Sequence, residues 1–260
     1  MPNRLSVIVP CFNEERNIEA CLQSVTWADE ILVVDSFSTD TTLEIARRYT
    51  DRILRHEYVY SAAQKNWAIP KASNEWVLVV DADERVTPGL RQEIADLLEQ
   101  GPSFDGYWIP RRNFLFGREI RHSGWGSDSV LRLFKRDVGR YRDKRVHAEV
   151  EISPAGRLRH HLEHHSVPSL ADWVAKINRY STWKARDKHE KGMAAPLVHL
   201  VVRPPARFLK DFVLRRGFMD GWRGFVIASL SAFAELVMAA KVMELRMEES
   251  ERNPGSGKPG

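Results

Sequence analysis

Over the first hundred residues, short runs of consecutive apolar positions alternate with stretches whose apolar residues recur at helical spacing. Leu5-Ser6-Val7-Ile8-Val9 is stopped by Pro10, Ile31-Leu32-Val33-Val34 ends at Asp35, and Trp76-Val77-Leu78-Val79-Val80 ends at Asp81. Runs this short and this β-branched predict strands buried on both faces. A weaker strand is expected over 52–54. Ile18, Cys21, Leu22 and Val25 predict a helix over 15–24. Leu43, Ile45 and Ala46 predict a second, capped by Thr39 or Asp40. Residues 62–72 suit a third helix, and Pro88 opens a fourth through Leu98, as proline fits a first helical turn. Strands alternating with helices imply parallel pairing with right-handed crossovers, hence an α/β fold with an open, doubly wound sheet. Ligands of such sheets bind outside the carboxyl ends of the strands, where Asp35, Asp81 and Asp83 fall.

From Gly106 the rhythm changes. Residues 107–110, 130–134 and 146–152 read as strands of an antiparallel extension that walls one side of the site. Leu170, Trp173, Val174, Ile177 and Tyr180 form a helical stripe, and the chain beyond Leu197 is expected to be helical. A first domain over 1–168, with halves at 1–100 and 101–168, is thus followed by a helical region, 169–248, and a polar tail, 249–260, expected to be disordered.

Charge adds a local feature. With 39 basic and 35 acidic residues the formal net charge is only +4, so no global field calls for nucleic acid. Six basic residues nevertheless crowd between Arg203 and Arg223, against Asp211 and Asp220. The apolar stretch that follows, 224–240, is shorter than the roughly 20 residues of a spanning helix and contains Glu235. It is expected to lie in the membrane interface, its basic flank against an anionic inner leaflet. A homodimer contact or packing on the first domain are the alternatives. Cys11 and Cys21 have no metal-ligand spacing and suit a reducing cytoplasm. The first apolar run is too short for a signal-peptide core.

Asp81-Ala82-Asp83-Glu84 carries the strongest chemical signal. Two carboxylates one residue apart at a strand end can share a Mg²⁺ or Mn²⁺ ion that bridges a diphosphate; the plainer reading is a solvated acidic turn. Asp35, ending the second strand, can accept hydrogen bonds from a base or ribose. Pro10-Cys11-Phe12-Asn13-Glu14 follows the first strand without a G-x-G-x-x-G, which argues against a dinucleotide oxidoreductase and for contact with a base or ribose. In His160-His161-Leu162-Glu163-His164-His165, neighbouring side chains on an extended chain point to opposite faces, a poor arrangement for zinc.

These blocks together resemble family 2 glycosyltransferases of GT-A fold, in the branch of bacterial lipopolysaccharide-core β-glucosyltransferase-like proteins. The resemblance rests on Ser6-Val7-Ile8-Val9-Pro10 with Asn13-Glu14, Trp27-Ala28-Asp29-Glu30, Val34-Asp35-Ser36 with Ser38-Thr39-Asp40, Ala63-Gln64-Lys65-Asn66, and Asp81-Ala82-Asp83-Glu84-Arg85. Further blocks are Pro110-Arg111-Arg112-Asn113, Gly124-Trp125 with Asp128, Leu131-Arg132-Leu133-Phe134, Val146-His147, and Gly217-Phe218 with Asp220-Gly221. The ordered set reaches to about residue 245.

The resemblance implies a nucleotide-sugar donor, with Pro10, Asn13, Glu14 and Asp35 lining the nucleoside pocket. Gln64 and Lys65 would approach the base or diphosphate, Asp81 the ribose and metal, and Asp83 would be the principal ligand of Mg²⁺ or Mn²⁺. Arg132 is a candidate for the diphosphate and His164 for the metal or diphosphate. Inverting displacement needs a base for the acceptor proton, and Asp128 and Glu149 are the candidates. Relatives place a glutamate directly after the histidine matching His147. Here Ala148 stands there, and a one-residue shift on a strand reverses the side chain's face, which favours Asp128. The implied acceptor is a glycolipid or polysaccharide of the cell envelope, met by a cytoplasmic enzyme peripheral to the inner membrane. A non-catalytic nucleotide-sugar scaffold is the alternative. A sugar nucleotidyltransferase would want a glycine-rich basic loop after the first strand.

Overall fold

The computed structural model describes residues 3–143, 149–165, 167, 169–193 and 196–252. In chain order the first elements are β1 (Leu5–Cys11), α1 (Ile18–Gln23), β2 (Glu30–Asp35), α2 (Thr42–Ala46), β3 (Ile53–Arg55) and α3 (Ser61–Ala68). They are followed by β4 (Trp76–Val79), β5 (Glu84–Val86), α4 (Pro88–Gln100), β6 (Gly106–Leu115), β7 (Arg118–Ile120) and β8 (Ser129–Lys135). The last elements among the described residues are β9 (Gly156–Arg157), β10 (Leu162–His164), α5 (Leu170–Glu190), α6 (Pro196–Leu209) and α7 (Trp222–Arg252). Two compact units result, Met1–Phe114 with Ser127–Ser166, and Leu115–Gly126 with Val167–Gly260.

The sheet of the first unit runs β3-β2-β1-β4-β8-β6-β10-β5, with β9 beside β6. Pairs β3–β2, β2–β1 and β1–β4 are parallel, and β4–β8 and β8–β6 are antiparallel. After β1 the chain builds outward to β3, then crosses to place β4 on the other side of β1. That reversal opens a crevice at the carboxyl ends of β1 and β4. The fold is the mostly parallel α/β sheet with an antiparallel extension expected of GT-A.

Strand pleating explains the core. Val7, Val9, Val33, Leu78 and Val80 join Ile18, Leu22, Leu90 and Ile94 on one face. Their neighbours Ile8, Leu32, Val34, Val77 and Val79 join Ala62, Ala68 and Phe134 on the other. Successive side chains of a strand point to opposite faces, so a run buried on both must be apolar throughout.

Local departures have local causes. α1 starts at Ile18, three residues late, because the Glu14 carbonyl accepts from the amides of Asn17 and Ile18 in a preceding turn. α3 ends at Ala68 and continues as a single 3₁₀ turn containing Pro70. Of the strand expected over 146–152, residues 144–148 lie outside the described set, and Val150 forms only an isolated bridge with Tyr141.

In the second unit, Ala185, Met193, Met238 and Val242 form one apolar cluster, and Leu115, Ile120, Val167 and Ile227 another. A Cβ on Gly224 would lie 1.8 Å from the Gly217 carbonyl oxygen, so the first turn of α7 admits only glycine at this position. At 31 residues α7 outruns the apolar stretch expected from the sequence and continues past Glu249 to Arg252. By length and composition it is the one helix among the described residues able to cross a membrane.

Candidate active site

The loops leaving β1 and β2 are tied to each other. Asn13, at φ 51°, accepts the Thr39 amide on its Oδ1 at 2.8 Å, and its own amide donates to Ser38 Oγ at 2.9 Å. The Glu14 amide donates to Thr42 Oγ1, and Glu14 Oε2 accepts from Asn17 Nδ2. Asp35 is fully buried, with both carboxylate oxygens accepting the Ser38 amide at 3.1 and 3.2 Å. Asp35 therefore shapes the loop from within. The N-cap of α2 is Thr41, which makes no side-chain cap bond; Asp40, expected as the cap, stands one residue earlier and accepts the Thr42 amide. Gln64, on α3, reaches the end of β2 and donates to Ser36 Oγ at 2.7 Å and the Val34 carbonyl. Pro10 is half-buried on β1.

A second group gathers around the end of β4. Lys65 Nζ lies 2.7 Å from Asp81 Oδ1, and Arg132, from β8, donates to Asp81 Oδ2. Burial opposes ionisation of Asp81, but the Arg132 and Lys65 charges outweigh it and hold the carboxyl well below the usual aspartate range. Arg132 bonds on to Glu84 Oε1 at 3.3 Å. Glu84 is fully buried; its Oε1 also accepts from Arg111 at 3.0 Å, and its Oε2 from the Asp81 amide at 3.0 Å. Arg111 Nε then donates to Asp128 Oδ2 at 2.7 Å. Burial opposes the charges of Arg111 and Arg132, yet the carboxylates facing them hold both pKa values above the ordinary arginine value. A continuous path thus runs Lys65–Asp81–Arg132–Glu84–Arg111–Asp128.

Sequence reasoning assigned Glu84 and Arg111 no role, nor Asn113, which closes the path. Arg111 and Asn113 are two apart on β6 and so share a face. Asn113 donates to Asp128 Oδ2 at 3.3 Å, while its Oδ1 meets His164 Nδ1 at 2.6 Å. β10 pairs with β6 in the register that sets His164 against Asn113, and with β5 in the register that sets it against Glu84. An Asn Oδ1 can only accept, so His164 Nδ1 carries the proton and a neutral imidazole keeps its Nε2 lone pair. That Nε2 lies 3.5 Å from Asp83 Oδ2.

A backing acceptor that fixes the tautomer is the usual surrounding of a metal-bound histidine. No group of three or more His, Cys, Asp or Glu side chains suited to a metal occurs among the described residues. A hard ion that takes one or two carboxylates and completes its shell with phosphates and water still fits Asp83 with His164. The other histidines diverge: His160 bonds Glu93, and His165 stacks on Phe114. Glu149 is exposed on the stretch after residues 144–148, its carbonyl accepting the Arg142 amide.

A doubly wound sheet with charged side chains gathered at the ends of its parallel strands defines a class of α/β proteins whose ligands bind beyond the carboxyl ends of the strands. Within it, the chain belongs to glycosyl transferase family 2, whose profile matches residues 6–159. It is 30% identical over 250 residues, 92% of this chain and 92% of the relative, to the lipopolysaccharide core biosynthesis glycosyltransferase LpsC of Rhizobium meliloti (strain 1021). Among solved structures, TarS 1–349 of S. aureus covers 98% of this chain and 93% of its own at TM-score 0.48 and 16% identity. Glucosyl-3-phosphoglycerate synthase from Mycobacterium tuberculosis, in complex with Mg²⁺ and uridine-diphosphate, covers 52% and 57% at TM-score 0.39 and 18% identity.

Proposed function

We propose that this chain transfers a hexose from a UDP-sugar to a hydroxyl of a cell-envelope glycan or glycolipid such as lipopolysaccharide core, inverting the anomeric centre. Family membership and the likeness to LpsC support the reaction class and the acceptor. The observation that carries the mechanism is the path linking Lys65, Asp81 and Arg132 to Asp128 through Glu84 and Arg111.

On this reading Pro10, Asn13, Glu14 and Asp35 form the nucleoside side of the crevice, Asp35 by holding its loop in shape. Gln64 fixes the neighbouring strand end. Lys65 and Arg132 set positive charge beside Asp81, where a donor diphosphate needs it. Mg²⁺ or Mn²⁺, held by Asp83 and His164 with Asp81 nearby, would supply the further positive charge that a departing diphosphate requires. The acceptor oxygen bonds to the anomeric carbon as the bond to the diphosphate breaks, and Asp128 takes the acceptor proton. Arg111 and Asn113 hold Asp128 by one oxygen. A glycolipid acceptor brings the enzyme to the cytoplasmic face of the inner membrane as a peripheral protein.

The test is transfer of label from UDP-hexoses to a membrane extract by the purified protein. Label in the glycolipid fraction with Mn²⁺, lost on chelation, is the expected result. Donor binding without any transfer would favour the scaffold, and transfer indifferent to a chelator would remove the ion.

A further inference from the structure

α6 presents its apolar side outward. None of its residues is buried, and Leu197, Val198, Val201, Val202 and Leu209, at helical spacing, are each more than half exposed. The exposed apolar surface continues past α6 through Leu214, at 77%, to Phe218 and Trp222 at the start of α7. Isolated exposed apolar side chains are ordinary, but a contiguous set of this size marks an interaction surface.

The charge around it has one sign. From residue 196 to 225 there are six basic side chains and two acidic ones, Asp211 and Asp220. Both acids are spent inside the unit. Asp211 is fully buried, accepting from Arg207 at 2.6 Å and Arg215 at 3.0 Å, and Asp220 accepts the His122 amide at 2.9 Å. What remains outward is an apolar stripe flanked by Arg203, Lys210 and Arg216.

We infer that α6 and the turn leading into α7 dock on an anionic phospholipid bilayer, the choice of a membrane resting on the glycolipid-acceptor reading above. A helix lying in the interface needs an apolar face with basic flanks, and tryptophan favours the headgroup level. A second copy fits less well, because a two-fold contact would bring the same basic flank against itself. α7 as a spanning helix fits less well too, since it contains Glu235 and buries Met238, Ala239 and Val242 within its own unit.

The test is sedimentation of the purified full-length protein with vesicles of phosphatidylcholine, alone or mixed with phosphatidylglycerol. Binding should be at least about tenfold tighter to the mixed vesicles and weaken as salt rises. Replacing Arg203 and Lys210 together by Gln should weaken it roughly thirtyfold, at about fivefold for each basic side chain. Val201→Asp, on an exposed position, should abolish it. UDP binding by calorimetry should be unchanged in every variant, so loss of docking and failure of the donor reading are separately visible. Equal binding to neutral vesicles would overturn the inference. So would retention in native membranes after alkaline carbonate washing, which indicates a spanning α7. A dimer that Val201→Asp dissociates, without vesicle binding by the wild type, would also overturn it in favour of a second copy.

Discussion

Asp81 and Asp83 stand one residue apart and meet opposite surroundings. Asp81 gives one oxygen to Lys65 and the other to Arg132, whereas Asp83 faces the imidazole of His164. The motif alone treats the two acids alike; the difference comes from β8 and β10, far along the chain. If Asp83 and His164 hold the ion, Asp83→Ala should cost several kcal/mol of charge stabilisation, roughly a thousandfold in transfer. The melting temperature without ligands should stay within a few degrees of wild type, because Asp83 carries no part of the core. Normal turnover in that variant would put the ion elsewhere. If Asp128 is the base, it contributes about a hundredfold to ten-thousandfold. Asp128→Asn keeps an oxygen for Arg111 and should lower kcat by that order, with UDP affinity little changed. A loss confined to donor affinity would make Asp128 part of the donor pocket instead.

Strands place these groups, and their own anchoring makes a separate prediction. Glu30 opens β2 and gathers Ser6 of β1, the Ser73 amide and hydroxyl, and Arg52, so one carboxylate ties two strand starts and a loop together. Burial works against the charge of Glu30. The bonds from Ser6 and Ser73 and the charge of Arg52 outweigh it and hold the pKa below the ordinary glutamate value. A group whose folded pKa is depressed stabilises fully above its unfolded pKa, about 4.3, and loses that contribution as pH falls through the folded value. Glu30→Gln should therefore cost about 2 kcal/mol at neutral pH. The gap between mutant and wild type in urea unfolding should narrow steadily below about pH 4. A gap that stayed constant down to the acid limit would mean that charge plays no part in the clamp. The same logic of register governs β6 and β10, where a one-residue slip would turn both Asn113 and His164 away from the site.

What could be read from the sequence, and what could not, follows from distance along the chain. β1, β2 and β4 were legible because each is buried on both faces and so is apolar at every position, and the acids ending them then fell at the crevice by topology. Glu84 was not legible as a hub, since nothing in Asp81-Ala82-Asp83-Glu84 says which carboxylate turns inward. That choice is made by Arg111 and Arg132, which reach Glu84 only once β6, β8 and β10 are laid beside one another. α7 runs past its apolar stretch because helix continues through polar positions once its apolar side is packed. The hub has a measurable consequence. Breaking a buried ion pair from one side costs about 3–5 kcal/mol, because the remaining charge is stranded. Glu84→Gln takes one of two carboxylates from each of two buried guanidinium groups, leaving Arg111 on Asp128 and Arg132 on Asp81, and its amide offers one accepting oxygen where the carboxylate offered two. It should lower the urea midpoint by that free energy with the slope unchanged. Arg111→Met should do nearly the same, since among the described residues it leaves Glu84 with Arg132 as its one cation and Asp128 with Asn113 but no cation. If the six groups act as one network, the double variant must cost less than the sum of the two, by at least about 1 kcal/mol. Costs that add to within about 0.5 kcal/mol would reduce the path between Lys65 and Asp128 to a row of independent contacts.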